Sequence, residues 1–448
     1  MNAESILTSR CISERMARAV FPIFVPVILV MLAMLVQGQT ELQLVLASTA
    51  GLIVLLCFPV VALALAVAFL PLMPRISLLQ GANLQTEIGM DLLVVGLFIS
   101  ILIAKMAQRD STVFLPFNKS ILLFLGLAGI STLTAISFGD LRPMVGILFL
   151  LRQVEFFVLF WLVSNLVKTE KQAFLLIGSV LVSLLVASGQ AFYNLFVHHQ
   201  IVYVGTFQNH QKSGLFLALV MSLAVAIAFS SNKRWIRVLC GVLLLIAVAP
   251  LLSALARAAY LGFLAALVAV LLLKKRYVHL MLTLGLLAAA IPFLPLVIRT
   301  RIYAIPSFYS GAGDVYARIS TEDRLKTWGG IVNTLEDPAS WLGHGMGSAW
   351  LYTDNYYFRL LVEVGFPGLI CFLVLMVAMA KWSLRASRSD FPAGRIAATG
   401  FLGMLAVMMV GSMFGDVFAV MKNAAPFWVV AGTAFAVSRP VPGNRPSD

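Results

Sequence analysis

Long apolar runs separated by short polar connections fill most of this chain. The runs lie at 19–36, 43–57, 59–74, 90–106, 119–137, 144–166, 173–197, 213–230, 236–254, 258–273, 279–298, 360–380, 398–415 and 425–438. A helix needs about 20 apolar residues to cross the hydrocarbon core of a bilayer, so each run predicts a membrane-crossing helix. The stretch 42–74 is too long for one ordinary span and carries Pro59 near its middle. It predicts two short, tilted helices meeting at that proline. The first run follows Arg10, Arg15 and Arg18, which is the polarity of a signal peptide. Its apolar part is longer than the usual signal core of about 7–15 residues, and no A-x-A site follows, so an uncleaved first helix is predicted.

One segment breaks the pattern. Residues 299–359 form the only long polar stretch, predicted as a large loop between late spans. Within it Ser320 to Leu335 reads as a helix capped by Ser320, with Asp323 three residues on. Leu325, Trp328, Val332 and Leu335 would form its apolar stripe, resting on the membrane surface or over the bundle. A shorter polar segment, HHQIVYVGTFQNHQK, occupies 198–212, and the tail SRPVPGNRPSD has the composition of a disordered end.

Composition narrows the class. Of 448 residues, 61% are hydrophobic and only 11% charged, and mean hydropathy is +0.97. About a quarter of a soluble domain is charged, so a soluble enzyme, a disordered chain and a secreted disulfide scaffold are all excluded. Cys11 lies in the N-terminal tail, and Cys57, Cys240 and Cys371 lie in apolar runs, which indicates no disulfide framework. The prediction is an all-α polytopic transmembrane helix bundle of about 12–14 spans, one integral membrane domain over 1–448 with the 299–359 loop inserted.

Charge then sets orientation. There are 32 Lys and Arg against 19 Asp and Glu, a net +13. The basic residues concentrate in alternate short connections, for example Lys168 and Lys171, Lys233 to Arg237, Lys274 to Arg276, and Lys381 to Arg395. That asymmetry predicts a cytoplasmic side and places both termini there. The excess is a topology signal directed at anionic lipid, not a nucleic-acid footprint.

Ionisable residues inside apolar runs are costly and default to functional candidates. Arg152 and Glu155 lie three residues apart on one helix face, which predicts an ion pair locking two helices together. Asp91 opens a span, where an acid suits the helix dipole, and reads as an end-cap. On the outer side stand Arg257 in SALARAAYLGF, Arg324 in RLKTW, and Asp354 and Asn355 in YTDNYYFRLLVEVGFPG, with Glu363 following in E-x-G. A lone arginine there is ordinarily an interfacial anchor, and Arg299, Arg301 and Lys422 are read that way. As a set, the others suit different chemistry. Guanidinium groups grip phosphate in a bidentate fork. A carboxylate ionised at neutral pH can take a proton from a hydroxyl. Two arginines and one carboxylate at a membrane–water interface therefore suit a lipid pyrophosphate donor, with the arginines neutralising the leaving group. His198, His199 and His210 share one outer loop, but their spacing matches no firm metal pattern. No Asp-x-Asp, Walker loop, GxSxG or HExxH is present.

Three segments resemble the O-antigen ligase and O-antigen polymerase family of bacterial envelope glycan assembly. GTFQNH at 205–210, running into LFLALV, is similar to a G-x-F segment before a span. LLSALARAAYLGF is similar to an S-R-G-A segment, with Ala256 and Ala258 in place of the usual Ser and Gly around Arg257. RLKTWGGIVNTLEDPASWLGHGMGS followed by DNYYFRLLVEVGFPGL is similar to the R-x-x-x-W, G-x-G and H-N…E-x-G series, with Asp354 in place of the histidine. The resemblance covers roughly the C-terminal 250 residues by motif.

It implies a metal-independent, inverting glycosyltransferase without a cofactor. The enzyme would sit in the bacterial inner membrane and act on its periplasmic face in O-antigen, lipopolysaccharide or exopolysaccharide biosynthesis. The implied partners are an undecaprenyl-pyrophosphate-linked glycan donor, a glycan or lipid-linked acceptor, membrane lipid and other polysaccharide-assembly proteins. Arg257 and Arg324 take pyrophosphate-binding roles, and Asp354 takes the general-base position, with Asn355 and Glu363 beside it. Asn209, His210 and Lys212 are accessory candidates. A polymerase is preferred slightly over a ligase. The alternative is a transporter of a small solute or anion, with Arg152 and Glu155 lining a path. That reading expects repeated halves and broken helices near the midplane.

Overall fold

The computed structural model describes residues 58–74, 76–77, 85–86, 88–108, 117–199, 202–207, 209–296, 298–299, 326–333, 341–349, 354–389 and 391–438. Two compact units divide the chain, Met1–Ala62 and Leu63–Asp448. The described part of the first is 58–62, and the architecture below belongs to the second. The predicted spans 19–36 and 43–57, Arg324 and most of the 299–359 loop lie outside the described residues.

Twelve predicted apolar runs meet a helix each. They are α1 Pro59–Phe69, α2 Ile88–Gln108, α3 Asn118–Phe138, α4 Pro143–Leu166, α5 Glu170–Val197, α6 His210–Ser230, α7 Arg234–Ser253, α8 Arg257–Leu273, α9 Tyr277–Ala290, α10 Tyr356–Ala386, α11 Pro392–Gly411 and α12 Met421–Val437. Among the described residues, 7 helices are long and apolar enough to cross a membrane, and four shorter apolar helices accompany them. A two-residue antiparallel pairing, Ile76–Ser77 with Gln85–Thr86, is the only sheet described. Helix ends follow local chemistry. Proline occupies an opening turn of α1, α4 and α11, where its missing N–H costs nothing. Thr169 and Gln172 close a capping box at α5. The predicted run 279–298 ends early: α9 stops at Ala290 and Pro292 turns the chain into a 3-10 turn.

The bundle is centred on α6, buried along nearly its whole length and packed against α5, α7, α8, α11 and α12. Small residues allow this. A Cβ on Gly400 of α11 would stand 2.3 Å from Leu223 Cδ1 of α6, so a larger residue there would have to displace the leucine side chain that packs over the glycine. The outer faces of α3, α7 and α9 expose Leu122, Leu133, Leu245, Met281 and Leu286, the apolar surface a lipid environment receives.

Two charged residues differ from their predicted roles. Asp91 does more than open α2: its carboxylate receives both guanidinium branches of Arg152, at 2.7 and 3.2 Å. Arg152 also reaches Glu155 at 3.1 Å, so the predicted pair is a three-residue cluster joining α2 to α4. Lys422 is no snorkelling anchor. It is fully buried, donating to Met73 O at 2.7 Å, Thr206 O at 3.1 Å and Thr206 Oγ1 at 2.6 Å, with the Phe207 ring 4.9 Å away. Three carbonyl and hydroxyl acceptors match its three N–H groups, which lets an ammonium stay dry.

Candidate active site

Short turns make successive helices antiparallel, so their ends sort onto two faces. The turns 231–233, 274–276 and 387–389 lie on one face with Lys233, Arg234, Lys274, Lys275, Arg276, Arg385 and Arg388. The starts of α6, α8, α10 and α12 lie on the other. Burial and the neighbouring Arg395 push the Lys274 ammonium down to about 8 on the basic face.

The second face is assembled around the 412–416 loop between α11 and α12. Ser412 O accepts from Tyr356 N at 2.8 Å, and Met413 O from Asn355 Nδ2 at 3.2 Å. Phe414 O accepts from Gln211 Nε2, and Asp416 Oδ2 from Arg359 at 2.9 Å. One loop therefore ties the start of α6 to the start of α10. Asn209 caps α6 through Gln211 N and Lys212 N, and Asn355 caps α10 through Tyr357 N and Phe358 N. The chain enters α8 beside them. A Cβ on Gly214 would stand 2.9 Å from Ala256 Cβ and 3.1 Å from Ala259 Cβ. The small residues flanking Arg257 thus let α8 begin against the first turn of α6.

A buried charge network underlies this face. Arg359 Nε donates to Glu363 Oε1 at 2.9 Å, one helical turn along α10, and the Arg359 guanidinium sits 5.2 Å over the Phe149 ring. Glu363 Oε1 also accepts from Gly347 N at 2.9 Å. Burial raises the Asp416 carboxyl above its ordinary range, against Arg359 and Lys212, which lower it; Asp354 adds to the rise. Lys212 and Asp354 are therefore both within electrostatic reach of Asp416.

The E-x-G segment acquires a structural explanation. Gly365 breaks α10 with φ 74° and ψ −174°, and Pro367 has no N–H for the Glu363 carbonyl. The carbonyls freed by the break are taken from outside. His344 N reaches Val362 O at 2.7 Å, while Gly345 N at 3.0 Å and Ser131 Oγ at 2.7 Å both reach Glu363 O. The Gly343–Gly347 segment makes this approach with φ 82°, 84° and 88° at its three glycines, the left-handed backbone that glycine alone adopts without strain. A Cβ on Gly365 would stand 1.9 Å from Trp341 O.

Residues 250–373 match the family model described as O-antigen ligase. That stretch of the chain is similar to the O-antigen ligase family. No curated protein matches the chain. The family is one of membrane enzymes whose substrates are lipid-linked glycans, and the multi-pass bundle agrees with it.

Within this O-antigen ligase stretch, Arg257 occupies the first position of α8, and Asp354 is exposed immediately before the α10 cap. The Asn355 amide is engaged in capping, and Glu363 is 1% exposed and engaged with Arg359 and Gly347. Asn209, His210 and Lys212 lie at the α6 start, outside the matched stretch but on the same face. The short helix 326–333 turns Trp328 and Ile331 inward, with the Trp328 ring 5.4 Å from Phe358, whereas Val332 of the predicted stripe is exposed. Among the described residues no three His, Cys, Asp or Glu side chains gather to hold a metal ion.

Arg359 and Asp416 were not among the residues singled out from sequence. The R-x-x-x-E spacing of Arg359 and Glu363 was readable as a helical pair. Asp416, an acid in an otherwise apolar stretch, carried the cost signal of an intramembrane charge. Nothing in the sequence joined the two.

Proposed function

We propose that this protein transfers or polymerises an undecaprenyl-pyrophosphate-linked oligosaccharide at the periplasmic face of a bacterial inner membrane, during O-antigen or exopolysaccharide synthesis. It joins repeat units as a polymerase rather than capping lipid A–core as a ligase. The observation that carries the reading is that Arg257 and Asp354, both inside the matched stretch, lie on the bundle face opposite the basic turns. By the positive-inside rule that face is periplasmic, and the termini are cytoplasmic.

The chemistry follows from the groups present. The Asp354 carboxylate accepts the proton of an acceptor hydroxyl, whose oxygen attacks the anomeric carbon from the side opposite the lipid pyrophosphate. The glycosidic carbon–oxygen bond to pyrophosphate breaks, and configuration inverts. Arg257 and Arg324 neutralise the departing pyrophosphate, with Lys212 adding positive charge at the α6 start. This route needs no metal or cofactor. Glu363 and Asn355 serve it by positioning: one anchors Arg359 and the Gly347 brace, the other caps the helix that follows Asp354.

Asp354→Asn tests the reading through two glycan pools. Single repeat units on the acceptor are the expected result for a polymerase, and long chains stranded on the lipid carrier would mark a ligase. Wild-type glycan in both pools would remove Asp354 from the mechanism.

A further inference from the structure

We infer that the groove between the end of α5 and the 202–206 segment binds the sugar chain of the substrate, as a glycan subsite separate from the pyrophosphate residues. The inference rests on the glycan-transfer reading above and adds a location and a chemistry to it.

The groove is a shallow, open one with a volume of about 740 Å³, within the ~300–1,000 Å³ typical of small-molecule sites. Gln190, Asn194 and His198 line one wall. Gln190 and Asn194 on α5 and His198 at its C-cap are spaced four residues apart, so they form a ladder on one face with steps of about 6 Å. The opposite wall is Val202, Val204 and the Gly205–Thr206 backbone. Thr206 continues through Phe207 to the Asn209 cap, so the groove runs beside the candidate active site.

Its chemistry favours sugar over phosphate. Among the described residues no Lys, Arg, Asp or Glu lines it. Two carboxamides and an imidazole offer donors and acceptors to neutral hydroxyl groups, and the two valines offer apolar surface to ring C–H faces. The wall is also built in advance. Tyr203, whose hydroxyl burial keeps protonated, donates to Gln190 Oε1 at 3.2 Å. That fixes the amide and leaves its N–H groups for the groove. Gly205 has a φ of 52°, which favours glycine, and a Cβ there would stand 2.9 Å from the same Oε1 and push the Gln190 amide aside. The buried Lys422 pins the turn from beneath through both Thr206 oxygens. Neither the Asn194 amide nor the His198 ring makes a side-chain hydrogen bond among the described residues, while Tyr193, 56% exposed, packs its ring 5.3 Å from His198.

The test uses the full-length protein in detergent. The probe is the oligosaccharide released by mild acid from the cells' own lipid-linked pool, followed by saturation-transfer NMR. Asn194→Leu and His198→Ala should each weaken binding at least fivefold and shorten the surface glycan chains. Both positions reach solvent, so unfolding temperatures should match the wild type, and His198→Ala stands as the second variant if Asn194→Leu does not. Asp354→Asn should abolish transfer yet bind the probe within twofold of wild type. Unchanged binding in both groove variants, or displacement of the glycan by inorganic pyrophosphate, would overturn the inference. Normal transfer by Asp354→Asn with binding lost in the groove variants would overturn the catalytic reading and support this one.

Discussion

Removing the Arg359 guanidinium should destabilise this protein more than almost any other single side-chain change. Arg359 is 4% exposed and donates at 2.9 Å to Glu363 and at 2.9 Å to Asp416. Arg359→Met leaves two acids facing an apolar side chain. Breaking a buried pair by deleting one partner costs about 3–5 kcal/mol, because the other charge is left without compensation. Against a total stability of about 5–15 kcal/mol this is a large fraction. The same substitution removes one of the ties between α10 and the 412–416 loop, leaving Tyr356 N–Ser412 O and Asn355 Nδ2–Met413 O, so the position of Asp354 loosens. A shift of about 1 Å at a reacting group can cost about 100-fold in rate, and transfer should fall by that order. Denaturant or thermal unfolding in detergent measures the first effect, and a glycan-transfer assay the second. The diagnostic arm is Arg359→Met with Glu363→Gln, which removes one stranded charge while keeping an acceptor for Gly347. The double variant should be more stable than the sum of the single effects by about 1 kcal/mol or more. A loss below about 1 kcal/mol for Arg359→Met, as for an exposed pair, would refute the reasoning, and so would strict additivity.

Further outcomes follow from the same geometry. Gly365→Ala forces a side chain into a φ of 74° with ψ −174° and against Trp341 O, so it should cost about 1–3 kcal/mol in backbone strain alone, and more as the brace is displaced. Gly329→Ala, inside the 326–333 helix with nothing within 4 Å of its Cβ, is the control and should be no less stable than the wild type, gaining up to about 1 kcal/mol from helix propensity. Stability should also depend on pH through Asp416. Its carboxyl is raised by burial, so the folded state binds the proton more tightly than the unfolded state. That contribution is complete below the ordinary carboxylate value of about 4 and is lost as pH rises through the raised value. Wild-type unfolding temperature should fall across that window and Asp416→Asn should flatten the profile; an identical slope in both would disprove the assignment.

The lengths of the apolar runs, read from sequence alone, determined where twelve helices lie, because a backbone in hydrocarbon must satisfy its own hydrogen bonds within each span. Asn209 and Asn355, read from sequence only as site candidates, prove to be helix caps, because a short side-chain oxygen there satisfies orphan N–H groups. The motif order around Arg257 and Asp354 also pointed to the family. Tertiary structure alone decided which charges far apart in sequence meet. Arg359 and Asp416 lie 57 positions apart, and Lys422 finds Thr206 across 216. It also decided which helix is central. The spans α6 and α7 have nearly equal hydropathy, 2.2 and 2.4, yet the first is 89% buried and the second 22%. Lipid tails and a protein interior are both apolar, so composition cannot distinguish a helix that faces one from a helix that faces the other.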